Sequence, residues 1–240
     1  MHLKKIIVAG ILLLAANGLY AQKDWNNIGM DNVVSKDSFT RKGYTLIFIN
    51  KSEKFDKAIE DRMVDAFFKV YPKQAKMYNK QTLKKVFFVI DPEYTAVAAT
   101  AGSIVRYNPE WFVKNPGDID VVTHEVMHIV QSYPGGAGPG WLTEGIADYV
   151  RYKYGVDNEG AKWALPEYNS KQRYTDAYRV TARFLVWVEN NYDKKLVQKM
   201  NATLHTKTYN KNLWQKYTGK TLDELWADYG KDPALELMYH

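Results

Sequence analysis

The stretch His124-Glu125-Val126-Met127-His128 decides the fold prediction for this chain of 240 residues. Two histidines four positions apart lie on one face of an α-helix, about one turn from each other, so both imidazoles can reach one metal ion. The glutamate beside the first histidine is placed to contact a water molecule at the metal. Zinc lowers the pKa of such a water to about 7, and a nearby carboxylate can then remove its proton. The stretch therefore predicts two zinc ligands, His124 and His128, and a general base, Glu125.

The composition favours a catalytic zinc site over a structural one. Structural zinc sites usually complete their ligand set with cysteine, and this chain contains no cysteine. The same absence rules out disulfide bonds, so the fold must be held by its hydrophobic core. It also rules out the cysteine-dependent attachment signal of bacterial lipoproteins.

Glu144 and Asp148 are the candidates for the remaining positions of the site. They lie one helical turn apart, after the glycine- and proline-rich stretch of residues 133–140, which cannot continue the first helix. A catalytic zinc ion needs three protein ligands and one open position. We predict Glu144 as the third ligand, because the glycine-rich turn lets the second helix fold back against the first. Asp148 is then predicted to accept a hydrogen bond from the distal ring nitrogen of a ligand histidine.

The beginning of the chain has the features of a secretory signal peptide. Lys4 and Lys5 precede an apolar run over residues 6–16, and small residues follow up to Ala21. The run is shorter than the roughly 20 residues that span a bilayer, which favours export and removal over a membrane anchor. We expect cleavage after Ala21, a secreted mature protein and no stable membrane insertion.

The charge pattern indicates an ordinary solvated surface. The net charge of +6 would fall to +4 without Lys4 and Lys5, because 31 basic residues would then face the same 27 acidic ones. Basic and acidic residues are interleaved, as in residues 51–54, which argues against a nucleic-acid partner. A cell-wall or host ligand remains an open alternative.

The order of predicted elements indicates one α+β domain. After a signal peptide over residues 1–21 and an extended arm over 22–40, residues 41–240 are predicted to form a single catalytic domain. Strands are expected over 44–50, 85–90 and 103–107, and an amphipathic helix over 57–71. The helix with the metal motif is expected over 118–132, followed by helices over 141–154, 175–191, 194–205, 211–217 and 222–229. A small sheet thus precedes a mainly helical second half.

The metal motif and its following helix resemble known zinc peptidases. The pairing of residues 124–128 with Trp141-Leu142-Thr143-Glu144-Gly145 looks like the gluzincin metallopeptidases, whose third ligand is a glutamate on the next helix. Residues 122–154, the stretch 178–187 and Leu225-Trp226 resemble the basic secretory protein family, secreted proteins of plants and bacteria regarded as peptidases. The resemblance covers roughly residues 40–232.

This resemblance implies a zincin-like metallopeptidase fold with a small mixed sheet, an active-site helix and a mainly helical C-terminal half. It implies an edge strand beside the active-site helix, which we assign to residues 103–107, and an extended peptide could pair with that edge. In the family pattern Tyr178 opens the helix after the metal site and is the first candidate to stabilise an oxyanion, with Tyr174 second. Arg183 is expected to pair with Asp148 or Asp176.

The sequence thus predicts a secreted zinc-dependent metallopeptidase, with Zn2+ as cofactor and a peptide or protein as substrate. An endopeptidase is preferred, because neither an acidic cluster for a substrate amine nor a basic pocket for a carboxylate is evident. Two alternatives stay open: a secreted non-catalytic binding protein on a zincin fold, and a zinc hydrolase of non-protein amides or esters. Trp163, in loop-like surroundings, is the tryptophan expected to contact a ligand.

Overall fold

Five strands form a mixed sheet in the first half of the unit Asn32–His240. The computed structural model describes Trp25 and residues 27–239, so the predicted signal peptide lies outside the described residues. The inner three strands are parallel, and each outer strand is antiparallel to its neighbour. In spatial order the strands are β1 (Ser35–Arg41), β2 (Tyr44–Asn50), β3 (Lys85–Ile90), β5 (Ile104–Tyr107) and β4 (Ala98–Ala101).

Strand β1 corrects the prediction of an extended arm over residues 22–40. Ser35–Arg41 pairs with all seven residues of β2, from Ser35 opposite Asn50 to Arg41 opposite Tyr44. The connecting residues Lys42 and Gly43 have φ of 54° and 76°, as a two-residue turn with two positive φ angles requires. The strand is polar because it is an exposed edge, and its polarity concealed it from the hydrophobic pattern.

The edge strand beside the active-site helix is β4, which corrects the assignment of residues 103–107. Residues 104–107 form β5, which lies between β3 and β4 and is buried along its whole length. A two-residue turn at Gly102-Ser103, with Gly102 at φ 58°, returns the chain as a hairpin. Ala98–Ala101 consists of small, partly buried residues, which carry little signal for a strand.

Eight α-helices and one 3-10 helix complete the described part of the chain. No helix within it is both long enough and apolar enough to cross a membrane. The helix bounds agree with most of the predicted helices, and α2 was not predicted. They are α1 (Lys57–Tyr78), α2 (Pro109–Lys114), α3 (Val121–Gln131), α4 (Gly140–Tyr154), the 3-10 helix (Tyr174–Asp176), α5 (Tyr178–Asn191), α6 (Leu196–His205), α7 (Asn212–Thr218) and α8 (Leu222–Lys231).

Helix α1 packs on the sheet and supports the active-site helix α3. Phe67 of α1 meets Phe88 of β3 edge to face, with ring centroids 5.6 Å apart, and both side chains are fully buried. Gln74, also fully buried, donates from Nε2 to the carbonyl oxygen of Thr123 at 2.9 Å. The prediction ended helix α1 at Tyr71, before Pro72. The observed helix contains Pro72 and continues seven residues beyond the predicted end.

Helices α3, α4 and α5 pack together through close contacts. Asp120, at the start of α3, is fully buried and accepts hydrogen bonds from the backbone N–H groups of Val156 and Asp157, which follow α4. A Cβ added at Gly145 of α4 would lie 2.2 Å from Cγ2 of Thr181 in α5. Glycine at this position therefore permits the close approach of the two helices that carry Glu144 and Tyr178.

Candidate metal centre and active-site cleft

Three side chains bring metal-ligand atoms to one point between α3 and α4. Nε2 of His124 and Nε2 of His128 are 3.1 Å apart, and Oε2 of Glu144 lies 3.3 and 3.4 Å from them. A tetrahedral zinc site with bonds of about 2.0–2.1 Å separates its ligand atoms by about 3.3 Å. The three residues therefore have both the atom types and the spacing that suit a zinc ion, and they could hold one.

The two histidines are oriented by hydrogen bonds at their other ring nitrogens. Nδ1 of His124 lies 2.6 Å from Oδ1 of Asp148, and Nδ1 of His128 lies 2.7 Å from Oε1 of Gln131. The Gln131 amide is fixed because its Nε2 donates to the carbonyl oxygen of Thr143 at 2.9 Å. Both partners of the rings are thus acceptors, so each ring carries its proton on Nδ1.

This tautomer leaves electron pairs on three atoms that face one another. Neutral rings with Nδ1 protonated present lone pairs at Nε2, and the Glu144 carboxylate adds another. One proton can be shared by only two of these three atoms, whereas a metal ion placed between them can bind all three. Partly buried side chains that converge in this way favour a bound cation.

The pKa values of the same groups show that the site favours positive charge. Burial lowers the pKa of His124, but the nearby carboxylates of Asp148, Glu144 and Glu125 more than offset this effect and raise it to about 10, so a second proton occupies the ring until a metal ion displaces it. Burial also opposes ionisation of Glu144, yet its hydrogen bonds to His124 and His128 hold its pKa well below the usual range. Glu144 is therefore ionised at neutral pH and available to a metal ion.

Glu125 lies in the cleft and is held from the edge strand. The hydroxyl of Thr100 in β4 donates to Oε2 of Glu125 at 2.6 Å and lies 3.0 Å from the Glu125 carbonyl oxygen. No described residue hydrogen-bonds the other carboxylate oxygen. One oxygen is thus fixed by β4, and the second can meet a water molecule or substrate.

Tyr178 lies over His124 at the mouth of the cleft. Its ring centroid is 6.2 Å from that of His124 with an interplanar angle of 19°, and the residue is 54% exposed. The charge of Glu144, followed by burial, raises the pKa of the Tyr178 hydroxyl, which is therefore a protonated donor at neutral pH. Ala177 and Tyr178 have φ of 64° and 48°, a backbone conformation that non-glycine residues adopt at a cost.

These residues line one end of a cleft of about 1010 Å³. Its metal end contains the three candidate ligands, Glu125 and Tyr178. Its lining also includes the edge strand, Trp111, Trp163 and the two cations Lys162 and Arg179. The two cations were not recognised in the sequence as a basic region near the site. Trp163, the tryptophan predicted to contact a ligand, lines the cleft.

Several other candidates lie elsewhere or have other partners. The hydroxyl of Tyr174 donates to Asp223 at 2.8 Å, and the residue is not among those that line the cleft. Arg183 pairs with Glu167 at 3.3 Å, which corrects the expected pairing with Asp148 or Asp176. The loop before α5 carries Glu167 next to this guanidinium, a contact that helical spacing did not indicate.

Sequence reasoning missed two residues that act on the site. Thr100 contacts Glu125 across 25 positions of sequence, and no local pattern identifies such a contact. Gln131 is three positions after His128, on the same helix face, and this spacing could have identified it.

The fold is that of the zincin-like metallopeptidases. It is similar to an aminopeptidase N family protein from Idiomarina loihiensis, with 10% identity and a TM-score of 0.50 over 81% of this chain and 46% of that one. It is also similar to an M1 zinc metallopeptidase from Deinococcus radiodurans, with 9% identity and a TM-score of 0.50 over 87% of this chain and 53% of that one. The chain spans about half the length of these two proteins, and the similarity concerns the fold alone.

Residues 32–229 match the family described as peptidase of plants and bacteria, and the chain belongs to that family. This match confirms the resemblance to the basic secretory protein family and supports a zinc peptidase in general terms. No curated protein matches the chain.

Proposed function

We propose that this protein is a secreted zinc-dependent endopeptidase. His124, His128 and Glu144 bind the zinc ion, Glu125 is the general base and Asp148 orients His124. The proposal rests on one observation above all, the triangle of 3.1, 3.3 and 3.4 Å formed by two imidazole nitrogens and a carboxylate oxygen. Membership in a peptidase family supports a peptide bond as the target.

The chain's own residues supply the proton transfers of the reaction. When bound, zinc supplies Lewis acidity, which lowers the pKa of water and polarises a carbonyl group. Glu125 accepts a proton from the attacking water as the new C–O bond forms at the peptide carbon. It then delivers the proton to the amine nitrogen as the C–N bond breaks. Thr100 holds one oxygen of Glu125, so the other keeps its direction throughout.

Tyr178 is proposed to stabilise the oxyanion by donating a hydrogen bond. Its position over His124 and its raised pKa support this role, because a donor must stay protonated while charge develops on the substrate oxygen. Tyr94 also lines the cleft, but its hydroxyl already donates to the carbonyl oxygen of Ala98 at 3.2 Å. Tyr178 is therefore the better placed of the two.

The charges of the cleft support an endopeptidase over an aminopeptidase. Apart from the carboxylates at the metal end, the described lining contains one carboxylate, Asp118, which is paired with Arg151. An aminopeptidase would need a free carboxylate to bind the substrate amine. Lys162 and Arg179 make a carboxypeptidase the variant to exclude, because they could bind a terminal carboxylate.

Secretion is proposed from residues 1–21 alone. The basic start, the short apolar run and Ala21 support cleavage between Ala21 and Gln22. N-terminal sequencing of the protein recovered outside the producing cells tests this, and a mature chain that starts at Gln22 is expected. Retention of Met1, or recovery only in the cytoplasm, contradicts it.

Hydrolysis of terminally blocked peptides tests the activity. Purified zinc-loaded protein is incubated with an acetylated and amidated peptide library, and products are identified by mass spectrometry. Internal cleavage that is absent in Glu125→Gln is expected. Cleavage only after the C-terminal amide is replaced by a free carboxylate indicates a carboxypeptidase. A zinc-loaded wild type that cleaves no peptide contradicts the proposal and leaves the binding protein or the hydrolase of other amides and esters.

A further inference from the structure

Two tryptophans, Trp111 and Trp163, line the same cleft as the candidate metal ligands, and the part that they line is called the aromatic end. Trp111 comes from α2, and Trp163 comes from the loop after α4. Both rings are partly buried and line the cleft that contains His124 and Glu125. Val97, Val121 and Ala161 add apolar side chains to the same lining, which also contains Lys162 and Arg179.

One buried ion pair fixes both rings. Nη2 of Arg151 lies 2.5 Å from Oδ1 of Asp118, and Nε1 of Trp111 donates to Oδ2 of Asp118 at 2.9 Å. The Arg151 guanidinium lies over the Trp163 ring, 4.5 Å from its centroid. Arg151 also donates from Nε to Asn158 at 3.2 Å. The chain of contacts runs from one tryptophan through the ion pair to the other.

The ion pair does not contribute to the chemistry proposed for the metal end. Neither Asp118 nor Arg151 hydrogen-bonds a candidate ligand or Glu125 among the described residues. A buried ion pair is costly to desolvate and is often no more stabilising than apolar residues of the same size. Its visible effect here is to hold two aromatic rings in fixed positions at a cleft, which lowers the entropic cost of binding a ligand against them.

We propose that Trp111 and Trp163 form a specificity subsite for an aromatic or large aliphatic side chain of a peptide. Asp118 and Arg151 are positioning residues that act through the two rings. Aromatic rings offer large apolar contact areas and favour edge-to-face or stacked partners. Asp118 and Arg151 pair with each other, so neither charge of this pair is left for a ligand. This proposal rests on the proposed peptidase function, and it specifies which substrate side chain the cleft prefers.

Peptide binding without turnover tests the subsite. Acetylated and amidated pentapeptides that differ at one position, with Phe, Ala or Glu, are titrated into the zinc-loaded Glu125→Gln protein by calorimetry. The Phe peptide is expected to bind about tenfold more tightly than the Ala peptide, as about 1.4 kcal/mol of added contact implies. Introducing Trp163→Ala is expected to reduce this ratio to about one, and Trp163→Phe is expected to restore most of it. Trp226→Phe, outside the cleft lining, serves as the control and should leave the ratio unchanged.

A kinetic measurement separates positioning from general destabilisation. In the otherwise wild-type protein, Asp118→Asn is expected to raise KM for the Phe peptide severalfold with little change in kcat. A purely structural role would instead reduce the active fraction and hence the apparent kcat. Phe and Ala peptides that bind equally, or a Glu peptide that binds best, overturn the subsite. Tight, Trp163-dependent binding of the Phe peptide to the Glu125→Gln protein, with no hydrolysis by the wild type, supports the subsite and contradicts the peptidase function.

Discussion

The two ends of the cleft use buried charge in opposite ways. At the metal end, His124, His128 and Glu144 direct electron pairs toward one point, where a cation could bind all three. At the aromatic end, Asp118 and Arg151 satisfy each other at 2.5 Å and hold the rings of Trp111 and Trp163 at the cleft. Charges that converge without neutralising one another indicate a site for a metal ion. Charges that neutralise one another indicate support for the groups around them.

The largest expected effect concerns the metal end and the base. Glu125→Gln removes the proton acceptor but keeps the side chain's size and the contact with Thr100. We expect kcat to fall by about 10²–10⁴-fold, the usual contribution of a general base, with zinc content unchanged. Peptide turnover and metal analysis provide the measurement, and Glu93→Gln at the surface is the control. Activity equal to wild type in Glu125→Gln would show that Glu125 is not the general base.

The aromatic end should respond in stability rather than in metal binding. Arg151→Met leaves Asp118 buried without its partner, and breaking a buried pair costs about 3–5 kcal/mol. We expect the free energy of unfolding in urea to fall by that amount, while the folded protein keeps its zinc. Arg179→Met, at an exposed position, should change stability by less than about 0.5 kcal/mol. An unchanged midpoint in Arg151→Met contradicts the role given to the pair.

Asp148→Asn should lower the affinity for zinc rather than the stability of the fold. The amide is close in size to the carboxylate but cannot hold the Nδ1 proton of His124 as strongly, so the zinc ligand is less well oriented. Loss of such a partner typically lowers metal affinity by about 10–100-fold. Competition with a chelator measures the affinity, and the exposed Asp37→Asn is the control. If Asp148→Asn destabilises the fold but retains full zinc affinity, the contrast between the two ends is lost.

The smallest expected effect is at Thr100. Thr100→Val keeps the shape but removes the donor to Glu125, and we expect kcat to fall about tenfold because a hydrogen bond to a charged group contributes about 1.5 kcal/mol. Zinc content should be unchanged. Thr95→Val, at an exposed position outside the cleft lining, is the control. A change in KM alone would indicate that Thr100 shapes the edge strand for substrate and does not hold the base.

The parts of the site that the sequence predicted are those encoded by local spacing. His124 and His128 are four apart, as are Glu144 and Asp148, and helical periodicity brings each pair to one face. The helices that carry these residues were predicted with ends within three residues of the observed ones. The glycine-rich stretch between them correctly indicated a return of the chain.

Contacts between distant segments could not be predicted in this way. The strand β1 is polar because one of its faces and its edge meet water, and β4 consists of small residues without a strand pattern. Thr100 reaches Glu125 only because β4 packs beside α3, and Trp111 reaches Trp163 only through Asp118 and Arg151. Each of these contacts depends on tertiary packing, which periodicity does not specify.

Zinc stoichiometry in Glu144→Ala tests the central claim most directly. Wild type and variant are dialysed against a weak chelator, and zinc is measured by mass spectrometry with circular dichroism as the check on folding. Glu110→Ala, on the exposed face of α2, is the control. We expect about one zinc ion per chain in wild type and in the control, and almost none in folded Glu144→Ala. A wild type without zinc, or a Glu144→Ala protein that holds zinc as tightly as wild type, contradicts the account.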